Sequence, residues 1–554
     1  MVNFDNVLRR IGEFGKAQIL LYILIGICGI PTGEQNLSSV FTGASQEHWC
    51  RVAQLEHLPV ETRKNISIPL GSDGSFERCR RFADIDLLLS NGSTVGYSTD
   101  DGAGGNSSAK RMLLDCQEWE YDRTSIYSTV GSQFNLVCKR SFAVKMITSI
   151  YMSGFLLGCT LSGLVSDRIG RIKTVAITAV GQAVFGLLAA LIPVLGIHIA
   201  CRFLVGACTA GTFTTAFVIS MEIIGPKYRM QPGIFVQGFF AAGFILIACL
   251  AYFIRNHVTL QIVVALQPLI FVLYYWFYPE SPRWLLSQGR YEEASEICKR
   301  LAKLNGRELP ENFSITEEPF EMDIPDKKVK AKEVHKPQEK KQRGTILDLL
   351  RTPNMRKRTL NVFFSWFVVS LCYYGLSLNA EDLGGSVYVN TIISGLVEFP
   401  AYAMCCVTLN RFGRVRIHVA SMVTGGVGCI AAAFVDIFWL KITLASLGKF
   451  AVSAAFAIIY VYSAEVFPTV IRNAGVGMAS TCARIGGLLA PQIVLLNAFW
   501  QPLPFVLIGA LAVSAGLLAL LLPETLRQPL PETIEDGENF GQSRITQVQL
   551  EIEP

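Results

Sequence analysis

Four charged side chains stand in stretches that otherwise carry almost no charge: Glu34, Glu398, Lys449 and Arg484. A guanidinium in the middle of such a block costs at least ~2.5 kcal/mol to insert into a membrane, so its presence points to a function. Its planar fork matches a carboxylate. Glu398 offers the opposite sign, and Tyr373, Tyr374, Tyr460 and Tyr462 offer aromatic faces of the kind that hold a quaternary ammonium. Together they describe a two-ended site: an anion fork at Arg484, and a carboxylate with aromatics at Glu398. A zwitterion satisfies both ends. Trp366, about two turns before Tyr373 on a helix, and Gln237 are weaker candidates for the same lining. A structural ion pair is the competing reading for Arg484, and helix-to-helix bonding for Gln237 and Gln182. Glu34, in Pro31-Thr-Gly-Glu-Gln-Asn-Leu37, reads as a proton or cation site, or as the neutraliser of Arg484 or Lys449. Lys449 reads mainly as the structural partner of an acid.

These side chains need elements to carry them. Of 554 residues, 51% are hydrophobic and only 17% charged, against roughly 25% charged in soluble domains. A net charge of +5 gives no bulk excess for nucleic acid. The apolar residues fall into twelve blocks, each long enough for the roughly 20 residues that cross a ~30 Å hydrocarbon core. They run over 17–41, 144–165, 174–195, 197–219, 233–254, 260–278, 360–378, 387–409, 417–434, 442–462, 475–496 and 504–522. The first is much longer than a signal core and no small-residue cleavage site follows, so it is expected to stay as a membrane helix. Basic residues in the short connections, such as Arg168, Arg171, Lys173, Lys227, Arg229, Arg411, Arg414 and Arg416, fall on one side, which the positive-inside rule makes cytoplasmic. Both termini, residues 1–16 and 523–554, then lie inside.

Two connections are too long to be simple turns. Residues 42–143 fall outside and hold Cys50, Cys79, Cys116 and Cys138 with glycosylation sequons at Asn65, Asn91 and Asn106. That set fits a disulfide-tied, glycosylated cap, with the pairing open among three connectivities. The other cysteines show no metal-ligand spacing and read as packing residues. Residues 279–358 fall inside, with a helix-like stretch at 291–304 and a Lys-rich run at 327–343 that reads as a solvated linker.

The chain also repeats itself. Asp167-Arg168-Ile-Gly-Arg171 and Asn410-Arg411-Phe-Gly-Arg414 stand 243 residues apart, as do Glu222 with Glu465 and Arg229 with Arg472. Pro279-Glu280-Ser281 and Pro523-Glu524-Thr525 stand 244 apart. Two six-helix halves in parallel repeat follow, an arrangement in which substrate binds near the midplane and the halves rock about it. The repeated acids and arginines, Asp167, Arg168, Arg171, Glu222, Arg229, Arg411, Arg414, Glu465 and Arg472, are expected to bond carboxylates and helix carbonyl ends at the cytoplasmic face and to gate the cavity.

Gly163-x-x-x-Asp167-Arg168-x-Gly170-Arg171 resembles the loop signature of the major facilitator superfamily, and Pro279-Glu-Ser-Pro-Arg-Trp-Leu285 narrows the likeness to its sugar-porter and organic-ion branches. The Cys-bearing first loop, ending in Phe134-Asn-Leu-Val-Cys138, resembles that of solute carrier family 22. Tyr374-Gly-Leu-Ser-Leu378, Val397-Glu-Phe-Pro-Ala-Tyr402, Gly448-Lys-Phe450, Tyr460-Val-Tyr462 and Leu530-Pro-Glu-Thr-Ile534 are most similar to the carnitine/ergothioneine transporters. The resemblance implies an all-α membrane protein with the major facilitator fold, working as a monomer at the plasma membrane without a resident cofactor. Cation transporters of the family resemble one another in carrying Asp where this chain has Arg484, and anion and carnitine transporters in carrying Arg. Two departures matter. Asn410 replaces an Asp of the second loop motif and should weaken one gate contact. Thr209, Thr212, Thr214 and Thr215 stand where sodium-coupled members carry amides, which leaves Na+ coupling, H+ coupling, exchange and facilitated diffusion open.

The expected function is secondary transport of small organic ions, with zwitterions such as carnitine, betaines or ergothioneine ahead of an organic anion exchanger or a polyspecific cation transporter. A non-transporting glycosylated receptor gives no reason for the buried charges. No HExxH, nucleophile elbow or phosphate loop supports an enzyme, and no recurring charge ring supports a channel.

Overall fold

The computed structural model describes residues 4–71, 75–83, 112–124, 126–307, 309–310, 313, 315, 348–380 and 383–541. Every expected apolar block is a helix. Eleven are long and apolar enough to cross a membrane, and the last is shorter. In chain order, spans 1 to 6 are Lys16–Thr42, Phe142–Ile169, Arg171–Leu191, Leu195–Glu222, Met230–Phe253 and His257–Phe277. Spans 7 to 12 are Pro353–Leu378, Val387–Phe412, Arg414–Ala433, Phe438–Val466, Arg472–Ala498 and Leu503–Ala519. Span 3 stops at Leu191, short of the expected 195, because Pro193 drives the preceding Ile192 into an extended conformation.

Two spans are broken by proline. Pro31 cannot donate to the carbonyl of Ile27, and span 1 divides there into Lys16–Gly26 and Gly29–Thr42. Pro400 likewise cannot donate to Leu396, and span 8 divides at Val397 into Val387–Leu396 and Glu398–Phe412. The break puts Glu398 at the first position of a helical segment.

Within each half the helices approach closely through small residues. A side chain at Gly486 of span 11 would run into the backbone carbonyl of Phe367 in span 7. The halves meet along spans 2 and 11 and along spans 5 and 8. At the end that carries the 42–143 loop, hydrogen bonds join the halves between spans 2 and 11. Gln492 Nε2 donates to Ser149 Oγ at 2.8 Å and to Met146 Sδ at 3.2 Å, and Ser149 Oγ donates to the Leu488 carbonyl at 3.1 Å. Phe41 stacks on Tyr388 nearby, with centroids 5.5 Å apart. The loop end of the seam is therefore closed.

The long loop is not purely helical. It contains strands β1 (His48–Cys50), β2 (Arg80–Phe82), β3 (Leu113–Asp115) and β4 (Trp119–Tyr121), paired antiparallel as β1 with β4 and β2 with β3. Cys50 is bonded to Cys116 and Cys79 to Cys138. Asn65 is exposed on the helix Val60–Ser67, whereas Asn91 and Asn106 lie outside the described residues. At the opposite end, which carries the termini, the helix Tyr291–Leu304 buries Cys298, Leu301 and Ala302 against Leu8 and Ile11 of the helix Phe4–Ile11. The Lys-rich run 327–343 lies outside the described residues. Gly486→Val should overpack the contact between spans 7 and 11 and cost about 1–3 kcal/mol. A lowered thermal unfolding midpoint of the detergent-purified protein checks this, and an unchanged midpoint refutes the close contact.

Candidate substrate site

Glu398 is fully buried and fully occupied. Its Oε1 lies 2.9 Å from Lys449 Nζ. Tyr373 donates to both carboxylate oxygens at 2.8 and 3.0 Å, and Tyr402 donates to Oε2 at 2.6 Å. Lys449 also donates to Ser377 Oγ at 2.7 Å. Its ammonium stands 3.2 Å from the centroid of the Tyr373 ring. Each charge thus has its counter-charge and further polar or aromatic partners around it, as a buried ion pair requires. The sequence reading of Lys449 as partner of an acid is what the geometry shows, and the reading of Glu398 as an open anion for substrate is not.

Arg484 is in a different situation. It lies on span 11 and its guanidinium sits over the Phe155 ring of span 2, 4.9 Å from the centroid, so it reaches across the seam between the halves. Cys159, Tyr460 and Tyr374 are the polar side chains facing it. Among the described residues no carboxylate pairs with it, and its Nε has no hydrogen-bond partner. Trp366 packs edge-on against Tyr460 with centroids 4.3 Å apart and donates to Ser463 Oγ at 2.8 Å. Trp366 therefore stands behind Tyr460. Phe217 of span 4 faces Tyr460 from the other half, with centroids 6.3 Å apart.

Other expected members lie elsewhere. Tyr462 donates to the Pro523 carbonyl at 3.0 Å, beyond the end of span 12, because two residues along a helix turn the side chain by roughly 200° away from Tyr460. Glu34 neutralises neither Arg484 nor Lys449. It is fully buried inside the first half, with Gln267 of span 6 beside it and neither oxygen hydrogen-bonded. Gln237 is half-buried on span 5. Gln182 binds span 3 to span 4, donating to Thr212 Oγ1 at 2.7 Å and accepting from Thr209 at 3.3 Å. Thr214 bonds Ser162 of span 2 at 2.9 Å, so the threonines of span 4 do not converge on one point. Sequence reasoning passed over Arg202, a buried arginine on span 4. It donates to Gln35 Oε1 and Ser38 Oγ and stands 4.9 Å from the Tyr151 ring centroid. Its signal was available, as the single charge in the fourth apolar block before Glu222.

The repeated charges build the same device twice. Arg171 bonds Asp167, Ser166 and Glu222, while Arg414 bonds Glu465 at 2.9 Å and the Leu409 carbonyl at 3.1 Å. Among the described residues no ion pair in the second half matches the Asp167 bridge, since Asn410 carries no charge, and the Leu409 carbonyl takes the place of the Ser166 hydroxyl. Gly170 and Gly413 hold positive φ angles of 108° and 98°, which let each chain turn directly into the next span. Glu280 then accepts from the Arg171 and Ile172 amides at 3.1 and 3.2 Å, and Glu524 from the Arg414 and Val415 amides at 2.8 and 3.1 Å. These two glutamates cap the N-termini of spans 3 and 9, where the helix dipole favours negative charge. Burial pushes the Glu280 carboxyl above its ordinary value, against the pull of those amides and Arg171. Arg229 bonds the Ile224 carbonyl and Asp5, and Arg472 the Phe467 carbonyl. Arg168 and Arg411 are exposed. All these bonds stay within one half.

A family model described as sugar (and other) transporter matches residues 106–536. Organic cation transporter protein of Drosophila melanogaster is 40% identical over 551 residues, covering 99% of this chain and 96% of its own length. Solute carrier family 22 member 3 of Rattus norvegicus is 35% identical, with 99% and 98% covered. The chain belongs to solute carrier family 22. Another relative is human organic cation/carnitine transporter 2, 35% identical with 97% and 94% covered. The proton:xylose symporter XylE of the major facilitator superfamily shares the fold, with a TM-score of 0.58 at 16% identity over 94% of this chain and 98% of its own. As a solute carrier family 22 protein the chain is a multi-pass membrane transporter of organic ions, not an enzyme, and the family works without a resident cofactor.

In this solute carrier family 22 protein, Glu524→Gln keeps the shape of the cap on span 9 and removes its charge. The loss should be about 1–2 kcal/mol of stability. Thermal unfolding of the purified variant measures it, and a midpoint equal to that of the unaltered protein argues against the cap.

Proposed function

We propose that this protein carries small zwitterions with a carboxylate, such as carnitine, betaines or ergothioneine, across the plasma membrane by alternating access. The observation that carries the reading is Arg484, a guanidinium placed between the halves with aromatic side chains around it and, among the described residues, no carboxylate partner. Its fork takes the substrate carboxylate. The cationic end falls to the rings of Tyr374, Tyr460 and Phe155, with Trp366 supporting Tyr460, because Lys449 already neutralises Glu398. The printed name of the human relative, organic cation/carnitine transporter 2, agrees with a substrate that has both signs.

Both termini are taken as cytoplasmic and the 42–143 loop as extracellular, with Asn65, Asn91 and Asn106 as its glycosylation acceptors. The closed loop end then corresponds to a cavity shut from outside. The repeated charges brace each half at its cytoplasmic end, and exposed Arg168 and Arg411 are placed to engage the opposite half when that end closes.

An organic anion exchanger is the second reading. The neutralised Glu398 favours it, since Arg484 is left as the one unpaired charge at the seam among the described residues. Radiotracer uptake in transfected cells, with a cation, a dicarboxylate and a zwitterion run with and without sodium, separates the two. Zwitterion uptake that falls at least ~10-fold in Arg484→Asp, equivalent to about 1.4 kcal/mol, is the expected result. Uptake of the dicarboxylate alone refutes the zwitterion, and unchanged zwitterion uptake in the variant refutes the role of Arg484.

A further inference from the structure

The surroundings of Lys449 have the composition of a binding site for an organic ammonium. Its Nζ is 2.9 Å from a fully buried carboxylate, 3.2 Å from the centroid of the Tyr373 ring, 5.4 Å from that of Phe244 and 2.7 Å from Ser377 Oγ. Tyr373 and Tyr402 hold the carboxylate in place from its other sides. A carboxylate beside aromatic faces is the standard chemistry for capturing a cation, through charge and through the ring quadrupole. Here the captured cation is part of the chain. An ion pair serving only to hold spans 8 and 10 together would not need an aromatic face set directly on the ammonium.

We infer that Lys449 is a tethered cation filling an ammonium site built from Glu398, Tyr373, Phe244 and Ser377, and that this occupancy denies the site to free cations lacking a carboxylate. The inference rests on the proposed function for its meaning in specificity, since a filled cation site leaves Arg484 to choose the substrate. It does not rest on that function for its test. Removing the side chain beyond Cβ leaves a vacancy shaped like its own ammonium and propyl stem, lined by an unpaired carboxylate. The chemical class that fits is a small primary alkylammonium.

The experiment is amine binding to purified, detergent-solubilised Lys449→Ala, read as the shift of its thermal unfolding midpoint with n-propylammonium, and with 1-propanol as the uncharged match. The variant is expected to start below the unaltered protein, because its buried carboxylate has lost its partner. Propylammonium should then raise its midpoint in a saturable way, at concentrations at least tenfold below any that affect the unaltered protein. Propanol should not. The double variant Glu398→Gln with Lys449→Ala should lose the response to the amine. Equal stabilisation by propanol and propylammonium would mean an apolar cavity and overturn the inference, as would an equal amine response in the double variant. If Lys449→Ala gives no folded protein alone, expression with propylammonium in the medium should recover it, and failure to recover it counts against the inference. Uptake by the unaltered protein tests the proposed function separately: a protein that carries no zwitterion yet shows this amine response would refute that function and leave the filled site standing.

Discussion

The pairing of Glu398 with Lys449 determines what the rest of the central region can do. A carboxylate and an ammonium, each closed off from solvent, are tolerable in a membrane-spanning bundle only because each satisfies the other and neighbouring hydroxyls complete the set. Once they are committed to each other, charge at the seam is no longer balanced. Arg484 remains, with rings and a thiol about it and, among the described residues, no acid. The electrostatics of the site are therefore those of a single cation, even though the membrane-embedded sequence carries both signs. The rings beside Arg484, those of Phe155, Tyr374 and Tyr460, are distinct from Tyr373 and Tyr402, whose hydroxyls are committed to Glu398.

At the end carrying the termini the same economy appears twice. Each half turns through a positive-φ glycine into a new span, and each meets the free amides at the start of that span with a half-buried glutamate just beyond its own last span. The arginine that follows the glycine ties the cap to a third helix through Glu222 or Glu465. Spans 2, 3, 4 and 6 are thereby tied together in one half, and spans 8, 9, 10 and 12 in the other. The bonds of the repeated motifs run within a half rather than across the seam.

Much of this was legible from residues alone. Helix number followed from apolar block length, the break in span 8 from Pro400, and the two-fold architecture from the recurrence of Asp167-Arg168 and Asn410-Arg411. The helix at 291–304 was visible in its pattern. Partner choice was not. Nothing in a one-dimensional pattern says whether Glu398 meets Lys449, Arg484 or open space, because helix rotation decides it. Tyr462 was misassigned for the same reason, lying on the far side of its helix from Tyr460. Glu280 and Glu524 were noticed as punctuation of the repeat, but their role as caps depends on Gly170 and Gly413 bringing the next helix to them. Arg202 could have been found by applying the insertion-cost argument to every apolar block.

The closed seam at the loop end is held in part by hydrogen bonds of one serine and one glutamine side chain. Ser149 and Gln492 lie where water arrives first once the halves part, and each can exchange its partner for water with small net change in bonding. The latch can then open without a large enthalpic barrier of its own. The choice between open and closed passes to weaker, adjustable terms: stacked rings such as Phe41 on Tyr388, and whatever ligand reaches across from one half to the other. Bonds that water can replace so readily leave the seam open to being tipped by a small molecule.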